Sequence, residues 1–175
     1  MDKNVLVTYA SKYGATREIA EKIGEDLQLA GLAVDVLPVT DVREVIHYQA
    51  VILGSAVYIG KWQKEAEVFL KNNEKQLTDR AVWLFSSGPS GEGNPLELVE
   101  GVLVPTNLKP ITDRIQPRDI TIFHGNIDLN KINGLEKFAV RNVVKKPFGD
   151  YRDWNMIRSW ANGIAAALKK TEPVH

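Results

Sequence analysis

Seven residues near the start of the chain, Ala10-Ser11-Lys12-Tyr13-Gly14-Ala15-Thr16, combine what an anion site needs. They follow a short apolar strand, offer consecutive backbone N–H groups and the hydroxyls of Ser11 and Thr16, and open a helix. A phosphate dianion suits such a loop, and Gly14 would let the backbone approach it closely. The same residues also make an ordinary helix start, since Ser and Thr are common caps. A second stretch, Ala56-Val57-Tyr58-Ile59-Gly60-Lys61-Trp62, is apolar and aromatic, as a planar ring would require; Tyr or Trp can equally cover a helix start. A third, Ser87-Gly88-Pro89-Ser90-Gly91-Glu92-Gly93, has glycines and exposed amides able to meet the polar edge of a heterocycle, although Gly-Pro loops are common.

Rival chemistries lack their residues. A nucleotide P-loop needs Gly-Lys-Ser or Gly-Lys-Thr, and a dinucleotide site needs G-x-G-x-x-G after the first strand; neither occurs there. A phosphoacceptor domain would need an acidic pair after strand one and an Asp ending strand three, where this chain has Ala10-Ser11 and Ser55. There is no cysteine, which excludes disulfides, thiolate chemistry and iron–sulfur ligation by the chain, so redox work would need a cofactor. No catalytic acid, base or nucleophile and no metal ligand is assigned. His47 and His175 read as solvated, and His124, which ends a strand beside Gly125-Asn126, reads as structural in preference to catalytic. Asp153 reads as a helix cap. Arg152 and Asp150 read as solvated loop charges, with binding of a propionate or phosphate as the alternative.

The elements that must position these loops follow from periodicity. Strands are expected at Val5–Tyr9, Val34–Leu37, Ala50–Ser55, Ala81–Ser86 and Ile120–Phe123, each short, apolar and rich in β-branched residues or leucine. Ile19, Ala20, Ile23, Leu27 and Ala30 recur at helical spacing before Gly31, and Ala66, Phe69, Leu70 and Leu77 mark a second helix. A short helix is expected near Leu108–Ile115, and a last one over Trp154–Lys169 with Ile157, Trp160, Ala161, Ile164 and Leu168 as its apolar stripe. Short apolar strands alternating with amphipathic helices predict an α/β fold, a parallel sheet covered on both faces. Ligands of such sheets bind outside the carboxyl ends of the strands, which is where the three loops fall.

Composition agrees. The 175 residues fit one domain, 1–175, and 44% hydrophobic content can fill its core. Lys plus Arg and Asp plus Glu both number 22, and the pI near 6.8 argues against nucleic acid as the main partner. The start of the sequence has no signal-like apolar run, and no stretch has the length of a membrane span, so a cytoplasmic location is the expectation.

At the three loops the sequence resembles the flavodoxin superfamily, whose phosphate loop reads approximately Ser/Thr-x-Thr-Gly-Asn-Thr and is matched by Ser11 to Thr16, with Ala15 in place of Asn. The stretch Gly54-Ser55-Ala56-Val57-Tyr58-Ile59-Gly60 carries the second part of the likeness. The resemblance is closest to flavodoxin-domain proteins similar to menaquinone-dependent protoporphyrinogen dehydrogenases, which also carry an insertion before the last helix, here about Asn126 to Tyr151, and a stretch like Gly149-Asp150-Tyr151-Arg152-Asp153-Trp154. It implies a flavodoxin-like three-layer sandwich with a five-stranded parallel sheet, order 2-1-3-4-5, and non-covalent flavin mononucleotide (FMN). Ser11, Lys12, Tyr13, Gly14, Ala15 and Thr16 would cradle the phosphate, Ala56, Val57, Tyr58, Ile59 and Gly60 would border the ring, and Ser87 and Gly88 would complete its pocket.

Electron-carrier relatives usually sandwich the ring between aromatics of the second and third loops and are commonly acidic. This third loop has no aromatic between Ser86 and Leu96, and the chain is neutral, which favours an FMN-dependent oxidoreductase using a small-molecule or quinone partner over a single-electron carrier. A helix is expected from about Gly134 to Lys145, where Leu135, Phe138, Ala139, Asn142 and Val143 keep helical spacing among five basic residues. The segment 131–148 could meet anionic lipid beside the flavin; packing of its apolar side on the domain edge is the plainer expectation.

Overall fold

A computed structural model describes residues 4–138 and 148–171. In chain order it contains β1 (Asn4–Ala10), α1 (Ala15–Leu29), β2 (Ala33–Pro38), β3 (Ala50–Tyr58), β4 (Lys61–Trp62), α2 (Lys64–Thr78), β5 (Ala81–Ser87), α3 (Pro95–Leu98), α4 (Lys109–Ile115), β6 (Asp119–Phe123), β7 (Asn126–Ile127), α5 (Gly134–Phe138), β8 (Gly149–Asp150) and α6 (Trp154–Lys170). Five strands form a parallel sheet in the order β2-β1-β3-β5-β6. Counted among the parallel strands alone this is the expected 2-1-3-4-5, with β1 between β2 and β3 at the point where strand order reverses.

Alternation along each strand feeds two cores. Val5, Val7, Ile52, Phe85 and Phe123 point to one face and are covered by Ile19, Ile23 and Leu27 of α1 and Ile157, Ile164 and Leu168 of α6. Leu6, Val51, Leu53, Val82 and Leu84 point to the other, under Phe69, Leu70 and Leu77 of α2 and Ile111 and Ile115 of α4. The helical stripes expected from spacing are therefore the buried faces. Burial on both sides is what makes these strands read as unbroken apolar runs. Asp153 caps α6, its carboxylate accepting from the N–H groups of Asn155 and Met156.

Three expectations need correction. Strand β3 does not stop at Ser55 but continues to Tyr58, where Ile59 and Gly60, both at positive φ (50° and 68°), turn the chain into β4; Val57 then faces Trp62 and Tyr58 faces Lys61. A β-branched residue at positive φ is a poor turn signal, so this hairpin reads as loop in the sequence. The stretch after β5 holds α3 besides α4, started by Pro95 and capped by Asn94. The insertion before α6 is closed at its base by β7 and β8, a two-residue antiparallel ladder pairing Asn126 with Asp150 and Ile127 with Gly149. Of the helix expected over 134–145, α5 spans Gly134–Phe138; 139–147 lie outside the described residues.

Candidate functional site

Helix α1 begins without a side-chain cap. Gly14 at its N-cap adopts φ 96°, a left-handed conformation that L side chains rarely take, so glycine is needed for the turn itself. Ser11 Oγ accepts the Gly14 N–H at 2.9 Å and folds the loop back. Among the described residues no side chain bonds the first N–H groups of α1 as a cap. Those donors, with the positive end of the helix dipole, open on a cavity at the carboxyl edge of the sheet.

Ser11, Lys12, Tyr13, Ala15 and Thr16 line that cavity from the first loop, Ala56, Val57, Tyr58 and Ile59 from the end of β3 and its turn, and Ser87 and Gly88 from the end of β5. Eleven of the thirteen residues chosen from the sequence thus meet at one cavity. Gly14 shapes its floor without lining it, and Gly60 lies on the far side of the β3–β4 turn. Thr16 is buried, and its hydroxyl donates to Ser87 Oγ at 3.3 Å, joining the first loop to the third. Tyr58 and Tyr13 are the aromatic side chains of the wall among the described residues. Gly88 and Gly125 also line it and pack closely on each other: a Cβ on Gly125 would come within 3.1 Å of Gly88 Cα. Trp62, the other aromatic of the second loop, is buried away from the cavity, with its indole N–H bonded to Ser86 Oγ at 2.8 Å.

The insertion supplies a wall that loop chemistry did not reveal. Asn126, Ile127, Asp128, Ile132 and Glu136 line the cavity, as does Gln63 before α2. Glu136 crosses to the first loop, taking the Lys12 ammonium at 2.8 Å and the Tyr13 hydroxyl. The Lys12 bond, then the Tyr13 bond, hold the Glu136 carboxyl below its ordinary value, and the same Glu136 bond is the main cause that raises Lys12. Burial, then the Glu136 bond, push the Tyr13 phenol up. Lys12 Nζ also lies 4.1 Å from the centre of the Tyr58 ring, so its charge is shared between a carboxylate and a π face. No signal in the sequence pairs positions 12 and 136; only the fold back over the sheet edge does.

Arg152 is neither a solvated charge nor a ligand-facing one. Its side chain is 5% exposed, bonds Asp150 through Nε and Nη2 at 2.8 and 2.7 Å, reaches Glu18 and the carbonyl of Ala15, and stacks over Trp154. It clamps the base of the insertion to the first turn of α1, next to the first loop. His124 is likewise structural: its two ring nitrogens face the carbonyl oxygens of Pro89 (3.1 Å) and Gly93 (2.8 Å) and hold the third loop. On α5, Leu135 and Phe138 are 81% and 62% exposed, while Ala139, Asn142 and Val143 of the expected stripe lie outside the described residues. Among the described residues no helix is long and apolar enough to cross a membrane, and no cluster of His, Asp and Glu could hold a metal ion.

A family model described as a flavodoxin domain matches residues 6–153. The protoporphyrinogen IX dehydrogenase [quinone] of Escherichia coli K12 is 19% identical, over 94% of this chain and 96% of its own length. Among solved structures, an archaeal flavodoxin superposes with a TM-score of 0.62 at 18% identity, covering 95% of this chain and 99% of its own. The rubredoxin:oxygen oxidoreductase of Desulfovibrio gigas gives 0.64 at 17% identity, covering 96% of this chain and 36% of that one.

Proposed function

This chain belongs to the flavodoxin-domain family, and from that premise we propose that it is a single-domain FMN-binding oxidoreductase, passing reducing equivalents from a reduced organic substrate to a quinone or similar acceptor. The observation that carries the cofactor assignment is the uncapped start of α1, opening on a cavity lined by Tyr58 and by the glycines Gly88 and Gly125. Free N–H donors of a helix start suit a phosphate dianion. The Thr16 and Ser87 hydroxyls sit where they can add neutral donors, while Lys12 is already matched by Glu136. The phosphate would therefore be held chiefly by backbone amides and hydroxyls. Bound FMN would supply hydride and single-electron chemistry that the side chains of this chain lack.

An enzyme is favoured over a single-electron carrier because the insertion walls one side of the cavity through Asn126, Ile127, Asp128, Ile132 and Glu136, which suits a small-molecule substrate better than a protein surface. The named activity of the Escherichia coli relative, covering nearly the whole chain, supports protoporphyrinogen-like donors and quinones as the first compounds to assay. Exposed Leu135 and Phe138 beside the cavity support contact with a membrane surface, from which lipophilic compounds would arrive.

Titration of apoprotein with FMN and riboflavin tests the cofactor assignment. FMN should bind more tightly by at least an order of magnitude, an estimate from the strength of charge-assisted hydrogen bonds. Equal affinities would remove the phosphate from the first loop. Steady-state assays of reduced porphyrin and quinone pairs then separate enzyme from carrier.

A further inference from the structure

Among the described residues, the charged side chains that line the cavity are Lys12, Asp128 and Glu136. Asp128 is engaged locally, accepting the Asn130 N–H at 2.9 Å. Lys12 is the cation of the set. Its Nζ lies 4.1 Å from the centre of the Tyr58 ring and 5.2 Å from that of Tyr13, and it donates to Glu136 at 2.8 Å. That carboxylate comes from the insertion, 124 residues further along the chain. The charge that Lys12 presents to the cavity therefore depends on a contact made by a different part of the fold.

Reduction changes the charge of a flavin ring but not that of its phosphate. Uptake of two electrons and one proton leaves the ring with one negative charge. A cation beside the ring then favours the reduced form, and a carboxylate that holds the cation weakens this preference. A cation on the phosphate would instead favour both forms alike. Lys12 is placed for the first role, against the ring of Tyr58 in the cavity wall, while the first N–H groups of α1 and the Thr16 and Ser87 hydroxyls are at hand for the phosphate. We propose that Lys12 and Glu136 form a charge pair that sets the reduction potential of the bound cofactor, Lys12 stabilising the reduced ring and Glu136 limiting that stabilisation by holding the ammonium. Glu136 is a positioning residue here, acting through Lys12. The proposal rests on the FMN reading above. A flexible lysine stem and a weak surface ion pair make the setting adjustable by small movements of α5.

The test loads the full chain with FMN and titrates it anaerobically with dithionite, the electron donor, against a reference dye. Affinity for oxidised FMN is measured in parallel. Lys12→Met should lower the ratio of reduced to oxidised affinity about fivefold, the value of one unit charge at close range in water, which for a two-electron couple is a potential about 20 mV more negative. Glu136→Gln, whose amide oxygen can still accept the Tyr13 hydroxyl, should raise the ratio about threefold, or about 14 mV. Lys12→Arg keeps the charge and should stay near wild type. In the Lys12→Met background, Glu136→Gln should lose at least half of its effect. If Lys12→Met weakens both redox forms equally, Lys12 serves the phosphate and the proposal is overturned. An undiminished effect of Glu136→Gln in the Lys12→Met background would make Glu136 a separate charge and overturn its positioning role. FMN binding with unchanged potentials in the single variants removes this proposal alone, whereas a chain that binds no FMN removes the cofactor reading with it.

Discussion

The insertion is fastened to the domain at two places of opposite character. Its base is held by Arg152, whose guanidinium is almost wholly buried and meets Asp150, Glu18 and the Ala15 carbonyl together, with β7 and β8 paired beside it. Its far part reaches the first loop through Glu136, a 22% exposed carboxylate gripping Lys12 and Tyr13. A fork of donors out of water keeps one geometry, whereas a single surface ion pair is weak and readily exchanged with solvent. The base thus belongs to the scaffold of the first loop, and Glu136 of α5 to the rim of the cavity.

Removing Arg152 breaks this contrast most severely. Arg152→Ala removes the guanidinium from Asp150, Glu18 and the Ala15 carbonyl and should lower stability by about 3 kcal/mol, toward the low end for a buried pair because Asp150 and Glu18 are partly exposed. Arg152→Lys should recover less than half, since an ammonium cannot serve three acceptors in one plane. Thermal or denaturant unfolding measures both; an unchanged midpoint would make the base no firmer than the rim.

If the fixed end is also the end that grips the ligand, Thr16→Ala should weaken FMN by on the order of 1 to 3 kcal/mol, a loss expected for one charge-assisted bond. Unchanged affinity would take Thr16 out of the site. At the rim the sign should reverse: Glu136→Gln frees the Lys12 charge and removes an anion from beside the first loop, so FMN should bind a few-fold more tightly, with stability changed by under about 1 kcal/mol. Weaker binding in that variant would mean that Glu136 supports the cofactor directly.

The smallest effect is the pH order of release. Glu136 is held below its ordinary 4.5, first by Lys12, and Asp150 below its ordinary 3.8, first by Arg152. A carboxyl lowered by folding contributes stability that is complete above its unfolded value and is lost as pH falls through the folded one. On acidification each contact should therefore be lost as pH falls through the lowered value of its own carboxyl, below the ordinary 4.5 for Glu136 and below the ordinary 3.8 for Asp150. Carboxyl carbon shifts followed by NMR report each group. A Glu136 midpoint at its ordinary value would show that the Lys12 contact does not persist in solution.

Much of this protein was legible in residue order because its strands are buried on both faces and its helices on one. Continuous runs such as Ala50–Leu53 and stripes such as Ala66, Phe69, Leu70 and Leu77 state those environments directly. The first loop was legible for a similar reason, since a helix start after a strand makes its donors available by local geometry. Local sequence could not decide which distant residues complete that loop. Positions 12 and 136, or 15 and 152, become neighbours only when the insertion folds back across the sheet edge, and a charge reads as solvated until the chain around it excludes water. For the same reason Arg152 looked like a surface residue. The sequence by itself determined the sheet, its two cores and the glycine-turned loop that opens α1, because period and local donors are properties of consecutive residues. Only the tertiary structure decided the wall that the insertion adds to the cavity and the Arg152 clamp, because burial and pairing across 30 to 140 residues are properties of the folded chain.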